Sequence, residues 1–344
     1  MSTRSLRSPL GLLLPPLLWL AACAEGEGDG KAEPGGDTFS YPLDDTLRPT
    51  DLQALGTHNS YHVEMPDNVL EDWDYTHRPL DEQLGLLGVR QFELDLHPPA
   101  VPGDPLPVYH LPLLDEGTTC ARFIDCLQVM KDWSDTNPAH HLLVTLVEPK
   151  DVWNPDWGPD FLTQMDEDLR SVWPEDRLLT PDDLQQDTAS VRDGLLAYGW
   201  PTLGELRGQA LFVLHDHEEY REVYTDGLST SAGRALFPDA FGDLSLPFAA
   251  VHSINDAVDG AEAIAAAHAA GHLVRTMADG EGEAGRDLAL ASGANFVTTD
   301  WPEPQPETGY VVTIPGGTPS RCNPLGAAEG CTSEAIEDPA YIED

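Results

Sequence analysis

The chain has 344 residues, enough for one large domain or two modest ones with a buried core. Its 60 acidic side chains against 18 lysines and arginines give a formal net charge of −42. Such a surface repels nucleic acid, whose binding depends on basic side chains that neutralise phosphates, and it is a poor match for anionic lipid. Composition therefore argues against nucleic-acid partners and predicts a solvated surface.

Residues 1–22 are predicted to be an export signal. Two arginines precede an apolar run over residues 9–20, which is shorter than the about 20 residues needed to cross a bilayer. The run leads into Leu-Ala-Ala-Cys, which is similar to a bacterial lipobox and places the lipidated residue at Cys23. We therefore expect an exported protein anchored to the bacterial cell envelope, with an ordinary secretory signal as the alternative. Residues 23–45 are rich in glycine and glutamate and are predicted to be a flexible tether.

From residue 46 onward, short apolar runs alternate with amphipathic stretches, which is typical of repeated strand–helix units. Predicted strands lie at 52–57, 89–95, 142–148, 210–215, 249–253, 273–278 and 295–299, with a further short one at 108–110. Predicted helices over 256–270 and 286–292 each end at a glycine.

Chain length and this repeat predict an α/β fold, a TIM-like barrel of about 250 residues that forms a single catalytic domain over 46–305. A doubly wound open sheet is the alternative. No Gly-x-Gly-x-x-Gly turn follows the first strand, which argues against a dinucleotide site. The acidic segment 306–344, rich in proline and glycine, is predicted to be an extended tail.

The four cysteines that follow Cys23 are expected to form disulfides, because an exported chain meets an oxidising compartment. Their spacing favours two local pairs, Cys120–Cys126 and Cys322–Cys331, although four cysteines allow three connectivities. A zinc site is the alternative, but the chain lacks a Cys-x-x-Cys pair.

Polar residues at the carboxyl ends of the predicted strands indicate the active site, because that rim carries catalysis in a barrel. These residues are His58, Asn59, Glu93, Asp95, His110 and Glu148. Glu93 and Asp95 point to the same face of their strand, and two such carboxylates repel each other unless a cation, a proton or an arginine lies between them. Oxygen donors suit Ca²⁺ or Mg²⁺ better than zinc, which leaves the histidines free for proton transfer.

Several segments, taken in order, resemble a known family. The segments 58–61, 83–95 and 109–110 resemble the N-terminal half of a phosphoinositide phospholipase C barrel. The segments 133–140, 146–150 and 274–279 resemble its bacterial calcium-dependent branch. The resemblance covers about residues 50–302 and implies a barrel of the phospholipase-C-like phosphodiesterase type.

The resemblance also implies roles for individual residues. Calcium ligands fall on Asn59, Glu93, Asp95 and Glu148, with Ca²⁺ expected rather than Mg²⁺. In the family's mechanism the inositol 2-hydroxyl attacks the adjacent phosphate and expels diacylglycerol, giving a cyclic inositol phosphate. His58 would hydrogen-bond the phosphate, His110 would protonate the leaving oxygen, and either Glu93 or Glu148 would accept the hydroxyl proton.

Other polar residues have competing interpretations. Lys150 and Arg275 lie at strand ends and are expected to bind an anionic headgroup, with a salt bridge to one of the many acids as the alternative. His97 continues the inward alternation from Asp95, and Asp279 and Asp300 have structural or supporting roles. The remaining histidines are expected to be surface or core residues: His62, His77, His140, His141, His215, His217, His252, His268 and His272.

Two rival functions stay open. One is a phosphodiesterase that acts on glycerophosphodiesters or another phospholipid with the same barrel, because residues 293–300 also resemble the last strand of glycerophosphodiester phosphodiesterases. That family's His-Arg-Gly opening is absent here. The other is a lipoprotein that binds ligands without catalysis.

The sequence predicts a monomer that meets a phosphoinositide or related substrate and contacts the membrane through its lipid anchor; headgroup preference stays open.

Overall fold

The structure is a computed structural model that describes residues 39–66, 70, 73–317 and 319–342. The predicted export signal, Cys23 and most of the tether lie outside the described residues. Among the helices that are described, none combines the length and the apolar character needed to cross a membrane.

Strands form the centre of the α/β fold, and all of the strand pairs are parallel except that of β1 with β10. They are β1 (Leu52–Thr57), β2 (Val89–Leu96), β3 (Leu143–Pro149), β4 (Leu178–Leu179), β5 (Ala210–Leu214), β6 (Phe237–Pro238), β7 (Val251–Asp256), β8 (Leu273–Met277), β9 (Phe296–Thr299) and β10 (Arg321–Cys322). The sheet order is β4-β5-β3-β2-β1-β9-β8-β7, with β6 also beside β5. The Ala240 amide donates to the Val251 carbonyl at 3.0 Å across the gap between β6 and β7. This curled sheet confirms the predicted TIM-like barrel.

Helices pack around the sheet. They are α1 (Leu80–Leu86), α2 (Phe123–Thr136), α3 (Gly158–Val172), α4 (Pro181–Gln185), α5 (Val191–Tyr198), α6 (Leu203–Leu206), α7 (Glu219–Tyr224), α8 (Ala261–Ala269), α9 (Gly282–Ala291) and α10 (Ser333–Ile336).

Strand β2 shows how the core positions the site. Its alternate residues Phe92, Leu94 and Leu96 pack in one apolar cluster with Phe123 and Leu127 of α2. Burial of such side chains contributes roughly 1.5–3 kcal/mol each. The intervening residues, which include two acids, therefore face the barrel interior and are buried as well. Packing on the helix side thus fixes a polar inner face.

Several element boundaries differ from the predicted ones. The helix predicted over 256–270 begins at Ala261, because Asp256 extends β7 and its carboxylate accepts hydrogen bonds from the Val258 and Asp259 amides at 2.8 Å. The predicted strand at 108–110 forms only an isolated bridge between Val108 and Leu96. Strands β4 and β6 were not predicted, because two residues are too few to show a period.

The C-terminal segment is packed rather than extended as predicted. Strand β10 pairs antiparallel with β1, and Ile336 is buried in a small apolar cluster with Leu47 and Leu52. Glu337 is fully buried against Arg90. Composition suggested a tail because the few apolar anchors are separated by proline, glycine and acids.

Both predicted disulfides are present. Cys120 is bonded to Cys126, and Cys322 is bonded to Cys331. The second disulfide closes a loop inside the C-terminal segment, between β10 and the residues that precede α10.

Candidate active site

The carboxyl ends of the parallel strands bring polar side chains together at one rim of the barrel. Glu93 and Asp95 share the inner face of β2, and Asp95 lies directly opposite Glu148 in the β2–β3 register. Parallel pairing in register is what makes carboxylates from different strands neighbours. The three predicted acids therefore lie in one place.

Glu93 forms a buried ion pair across the barrel. Its Oε2 accepts a hydrogen bond from Arg275 Nη2 at 2.6 Å, and both side chains are almost fully buried. Arg275 also donates to Thr298 Oγ1 at 3.1 Å and to the Asn255 side chain. Burial alone would raise the pKa of Glu93, but Arg275 and then His58 outweigh it and lower the pKa to about 2. Glu93 is therefore ionised. Its second oxygen, Oε1, is not bonded to Arg275 and lies 3.8 Å from His58 Nε2.

Among Glu93, Asp95 and Glu148, Asp95 has the fewest hydrogen bonds within the described residues. It is fully buried, and neither carboxylate oxygen has a hydrogen bond to any residue that the structure describes. The Lys150 ammonium lies 3.3 Å from Asp95 Oδ2 and 3.1 Å from Glu148 Oε1. Burial, and next the charge of Glu148, raise the pKa of Asp95 to about 7. One ammonium therefore lies between two carboxylates, Asp95 and Glu148, and leaves one negative charge of that pair unbalanced, which favours a proton or a further cation there.

The rim chemistry fits a divalent cation. Glu93, Glu148 and His215 each present one ligand atom, and these atoms lie within 4.8 Å of one another. Asp95 adds two oxygens without hydrogen bonds beside Glu148. Carboxylate oxygens are the donors that Ca²⁺ and Mg²⁺ prefer. This group shares Glu93 and Glu148 with the predicted ligand set.

Asn59, the remaining predicted ligand, is buried next to this group. Its backbone has φ +41°, a region in which asparagine is one of the few tolerated side chains. Its amide nitrogen donates to the Tyr75 hydroxyl at 3.2 Å, and its Oδ1 accepts from the Tyr61 hydroxyl at 3.4 Å. The hydrogen bond to Oδ1 is long and therefore weak, so this oxygen can still bind a cation. Ligation by Asn59 stays a prediction.

His58 lies half-buried at the end of β1 and is held by an acid from beyond β9. Its Nδ1 donates to Asp300 Oδ1 at 2.8 Å. Burial would lower the pKa of His58, but Asp300 and Glu93 outweigh it and raise the pKa to about 9. Asp279 supports this arrangement, because it accepts hydrogen bonds from Thr299 Oγ1 at 2.7 Å and from the Asp300 amide at 2.6 Å. In the metal-free chain His58 is therefore a cationic donor at neutral pH.

His110 is held by a different acid and in a different state. Its Nδ1 lies 2.9 Å from Asp115 Oδ2, and burial is the main cause that lowers the pKa of His110. Asp115 also lies 2.9 Å from Nε2 of the fully buried His62. The Nδ1 of His62 donates to the Tyr75 carbonyl at 2.9 Å. Asp115 thus joins two histidines and orients His110.

Sequence reasoning missed several of these partners. His62 was expected to be an ordinary surface or core residue, yet it shares Asp115 with His110 although 53 positions separate it from that acid. His215 was also assigned to that ordinary class. It directly follows β5, so the same strand-end rule that found Glu148 could have found it.

The two basic residues predicted to bind a headgroup are paired with acids here. Lys150 contacts Asp95 and Glu148, and Arg275 contacts Glu93. These pairs match the alternative interpretation, and headgroup binding stays a prediction. His97, which continues the inward alternation, bonds Asp151 at 2.7 Å.

Comparisons with known proteins give the family through a family model and the fold through solved structures. A family model described as phosphoinositide phospholipase C, Ca²⁺-dependent, matches residues 47–105 and 104–324. A Ca²⁺-dependent phosphatidylinositol-specific phospholipase C from Streptomyces antibioticus is 22% identical with a TM-score of 0.56, covering 74% of this chain and 95% of that one. A calcium-dependent phosphoinositol-specific phospholipase C from a Gram-negative Pseudomonas species is 20% identical with a TM-score of 0.58, covering 82% and 97%. No curated protein matches the sequence significantly.

Proposed function

Because the chain belongs to the family of Ca²⁺-dependent phosphoinositide phospholipases C, we propose that it cleaves phosphatidylinositol to diacylglycerol and a cyclic inositol phosphate. The observation that carries this proposal is the convergence of three carboxylates and two aspartate-held histidines on one rim. Such a set can hold a cation, polarise a phosphate and move protons on both sides of it.

Glu93, Asp95 and Glu148 would hold the cation, with Asn59 beside them. When bound, Ca²⁺ lowers the pKa of the inositol 2-hydroxyl and stabilises negative charge on the phosphate. Ca²⁺ takes six to eight oxygens in flexible geometry, whereas Mg²⁺ prefers an octahedral shell that keeps several waters. A site with several carboxylates and an adjacent amide oxygen therefore favours Ca²⁺.

The histidines act at the phosphate and at the leaving group. His58, kept cationic by Asp300, donates a hydrogen bond to a phosphate oxygen. The inositol 2-hydroxyl oxygen then bonds to phosphorus, and the bond from phosphorus to the diacylglycerol oxygen breaks. His110, oriented by Asp115, gives its proton to that departing oxygen, and a phosphate anion close to the ring favours the protonated imidazole.

The proton of the 2-hydroxyl goes to a rim carboxylate. Glu93 is a weak base, because its pKa is lowered to about 2 and its Oε2 is bonded to Arg275. Glu148 is bonded to Lys150 through Oε1 at 3.1 Å, but 29% of its side chain is exposed, so it is the more accessible of the two acids. We assign the base to Glu148, which chooses between the two acids that the sequence left open.

The rim also offers apolar side chains for contact with a lipid surface. The loops that follow β2 and β3 expose Leu113, Val152, Val101 and Leu114, with 90% of Leu113 and 88% of Val152 accessible. They flank the carboxylates on the same side of the barrel. Insertion of these side chains would bring the rim to a membrane despite the acidic net charge, so a membrane-embedded substrate is the better match.

We further propose that the protein is exported, lipidated on Cys23 and active as a monomer in the cell envelope. The support is the lipobox-like sequence that ends the apolar run before Cys23. Mass spectrometry of the N-terminal peptide after expression in a bacterial host tests this directly. A diacylated Cys23 peptide is the expected result, and an unmodified N-terminus contradicts it.

The catalytic proposal is tested with the purified chain on phosphatidylinositol vesicles, with ³¹P NMR of the products in Ca²⁺ or in chelator. A cyclic inositol phosphate is expected only with Ca²⁺, and it should fall by about 10²–10⁴-fold in His58→Ala. His217→Ala, an exposed histidine of the rim, is the matched control and should keep full turnover. Cleavage of glycerophosphodiesters without action on inositol lipids would instead favour the rival phosphodiesterase.

A further inference from the structure

His215 is placed and oriented like a metal ligand, although the predicted ligand set contains only oxygen donors. It follows β5 at the same rim and presents its ring to Glu93 and Glu148, with ligand atoms of all three within 4.8 Å. Only 11% of its side chain is exposed. The resemblance assigns ligands of oxygen alone, so a nitrogen donor in this place is a departure that belongs to this chain.

A buried aspartate fixes which ring nitrogen faces the carboxylates. Asp239 is fully buried, and its Oδ1 accepts hydrogen bonds from the Phe241 amide at 2.9 Å and the Ser253 amide at 3.0 Å. Its Oδ2 lies 2.9 Å from His215 Nδ1. Because the Asp239 carboxylate already accepts two amide hydrogen bonds, it also acts as the acceptor toward His215. The proton between the two side chains therefore lies on His215 Nδ1. Nε2 is therefore the atom that faces Glu93 and Glu148, and it can bind a cation in exchange for a proton.

This arrangement is the one that supports ligating histidines in metalloproteins, where the second ring nitrogen donates to a carboxylate that sets tautomer and orientation. A second observation points to a cation in the same space. Asp95 is fully buried beside Glu148 and has two oxygens without hydrogen bonds within the described residues. The group therefore combines an oriented imidazole with a buried carboxylate that makes no hydrogen bond within the described residues.

We propose that His215, oriented by Asp239, supplies a nitrogen ligand to the divalent cation held by Glu93 and Glu148. The inference rests on the cation requirement of the proposed function and deepens it. Imidazole suits first-row transition metals, whereas Ca²⁺ prefers oxygen. The site therefore binds Mn²⁺ more tightly than an oxygen-only site would, and His215→Gln lowers Mn²⁺ affinity by roughly tenfold or more while changing Ca²⁺ affinity less.

The test is electron spin echo envelope modulation on the full chain loaded with substoichiometric Mn²⁺. A ¹⁴N coupling is expected in the wild type and in His217→Gln, the exposed neighbour used as control, and it should be lost in His215→Gln. Asp239→Asn should also lose it, because the amide would face Nδ1 and move the ring proton to Nε2. Circular dichroism and thermal unfolding show whether each variant is folded.

Each outcome decides the inference. A wild-type spectrum without ¹⁴N coupling, or a coupling that persists in His215→Gln, overturns ligation by His215. A coupling that persists in folded Asp239→Asn overturns the positioning role of Asp239. Phosphatidylinositol does not enter the measurement, so failure of turnover with ¹⁴N coupling present counts against the proposed function alone.

Discussion

Two buried arginine–glutamate pairs lie at different places on β2 and differ in how completely they are satisfied. Near its start, Arg90 bonds Glu337, donates to the Leu84 and Val89 carbonyls at 2.9 Å, and stacks on Trp133. At the rim, Arg275 binds only one oxygen of Glu93, and Glu93 Oε1 faces His58 at 3.8 Å.

The difference separates stability from function. Glu337 Oε2 accepts a further hydrogen bond from the His141 amide at 2.9 Å, so the Arg90–Glu337 pair is closed and has nothing left to offer a ligand. The Glu93 pair keeps an open oxygen next to an unsatisfied aspartate. A buried pair contributes to stability when its remaining hydrogen bonds are made, and it is available to chemistry where they are not.

The largest effect is expected at the closed pair. Glu337→Ala leaves Arg90 buried without its counter-ion, and we expect a loss of about 3–5 kcal/mol in the free energy of unfolding. Urea denaturation measures it, with Glu334→Ala on the exposed side of α10 as control. Turnover of the folded fraction should stay unchanged. A Glu337→Ala chain as stable as the control would show that the C-terminal segment does not hold the barrel.

Glu93→Gln tests the second pair, in which Glu93 is expected to serve the cation site more than stability. The substitution keeps the shape and a partner for Arg275 but removes a charge from the cation site. Phosphatidylinositol turnover at saturating Ca²⁺ should fall by about 10²–10³-fold, while the free energy of unfolding falls by less than in Glu337→Ala, because the amide oxygen still accepts a hydrogen bond from Arg275. A variant that loses stability but keeps turnover would assign the rim pair a structural role as well.

Opening the Cys322–Cys331 disulfide loosens the same C-terminal segment. For a loop of this size, the double Cys→Ser variant should lose about 2–3 kcal/mol in the free energy of unfolding. Denaturation curves with and without the disulfide measure the loss, and turnover in the folded state should be unaffected. A loss of activity without a loss of stability would contradict the view that this segment serves only the fold.

The smallest effect concerns the charge of His58. Its pKa in the folded, metal-free chain is raised to about 9, so the proton is retained through neutral pH. Because the folded-state pKa lies above the ordinary value, this pair contributes stability that is complete below about pH 6.5 and is lost as the pH rises through about 9. NMR titration should show this pKa, and Asp300→Asn should lower it. An unchanged pKa in Asp300→Asn would contradict the assigned cause.

Strand periodicity predicted the barrel, the rim and the acids on it, because Glu93 and Asp95 alternate with apolar residues and Glu148 ends a clear apolar run. Partners contributed by distant loops could not be predicted. Asp115 lies in an irregular segment between β2 and α2, and Asp239 follows a strand of two residues. Glu337 was hidden in a segment whose composition indicates a tail. His215 follows β5 directly, so the strand-end rule could have selected it from the 12 histidines.

The most direct test of the contrast between a closed pair and an open one is calorimetric titration of Ca²⁺ into the wild type and into the double variant Glu93→Gln, Glu148→Gln. We expect one site in the wild type that is clearly tighter than nonspecific binding to the acidic surface, and its complete loss in the folded double variant. Equal binding by the two proteins would contradict the account, because the rim carboxylates would then not hold the cation.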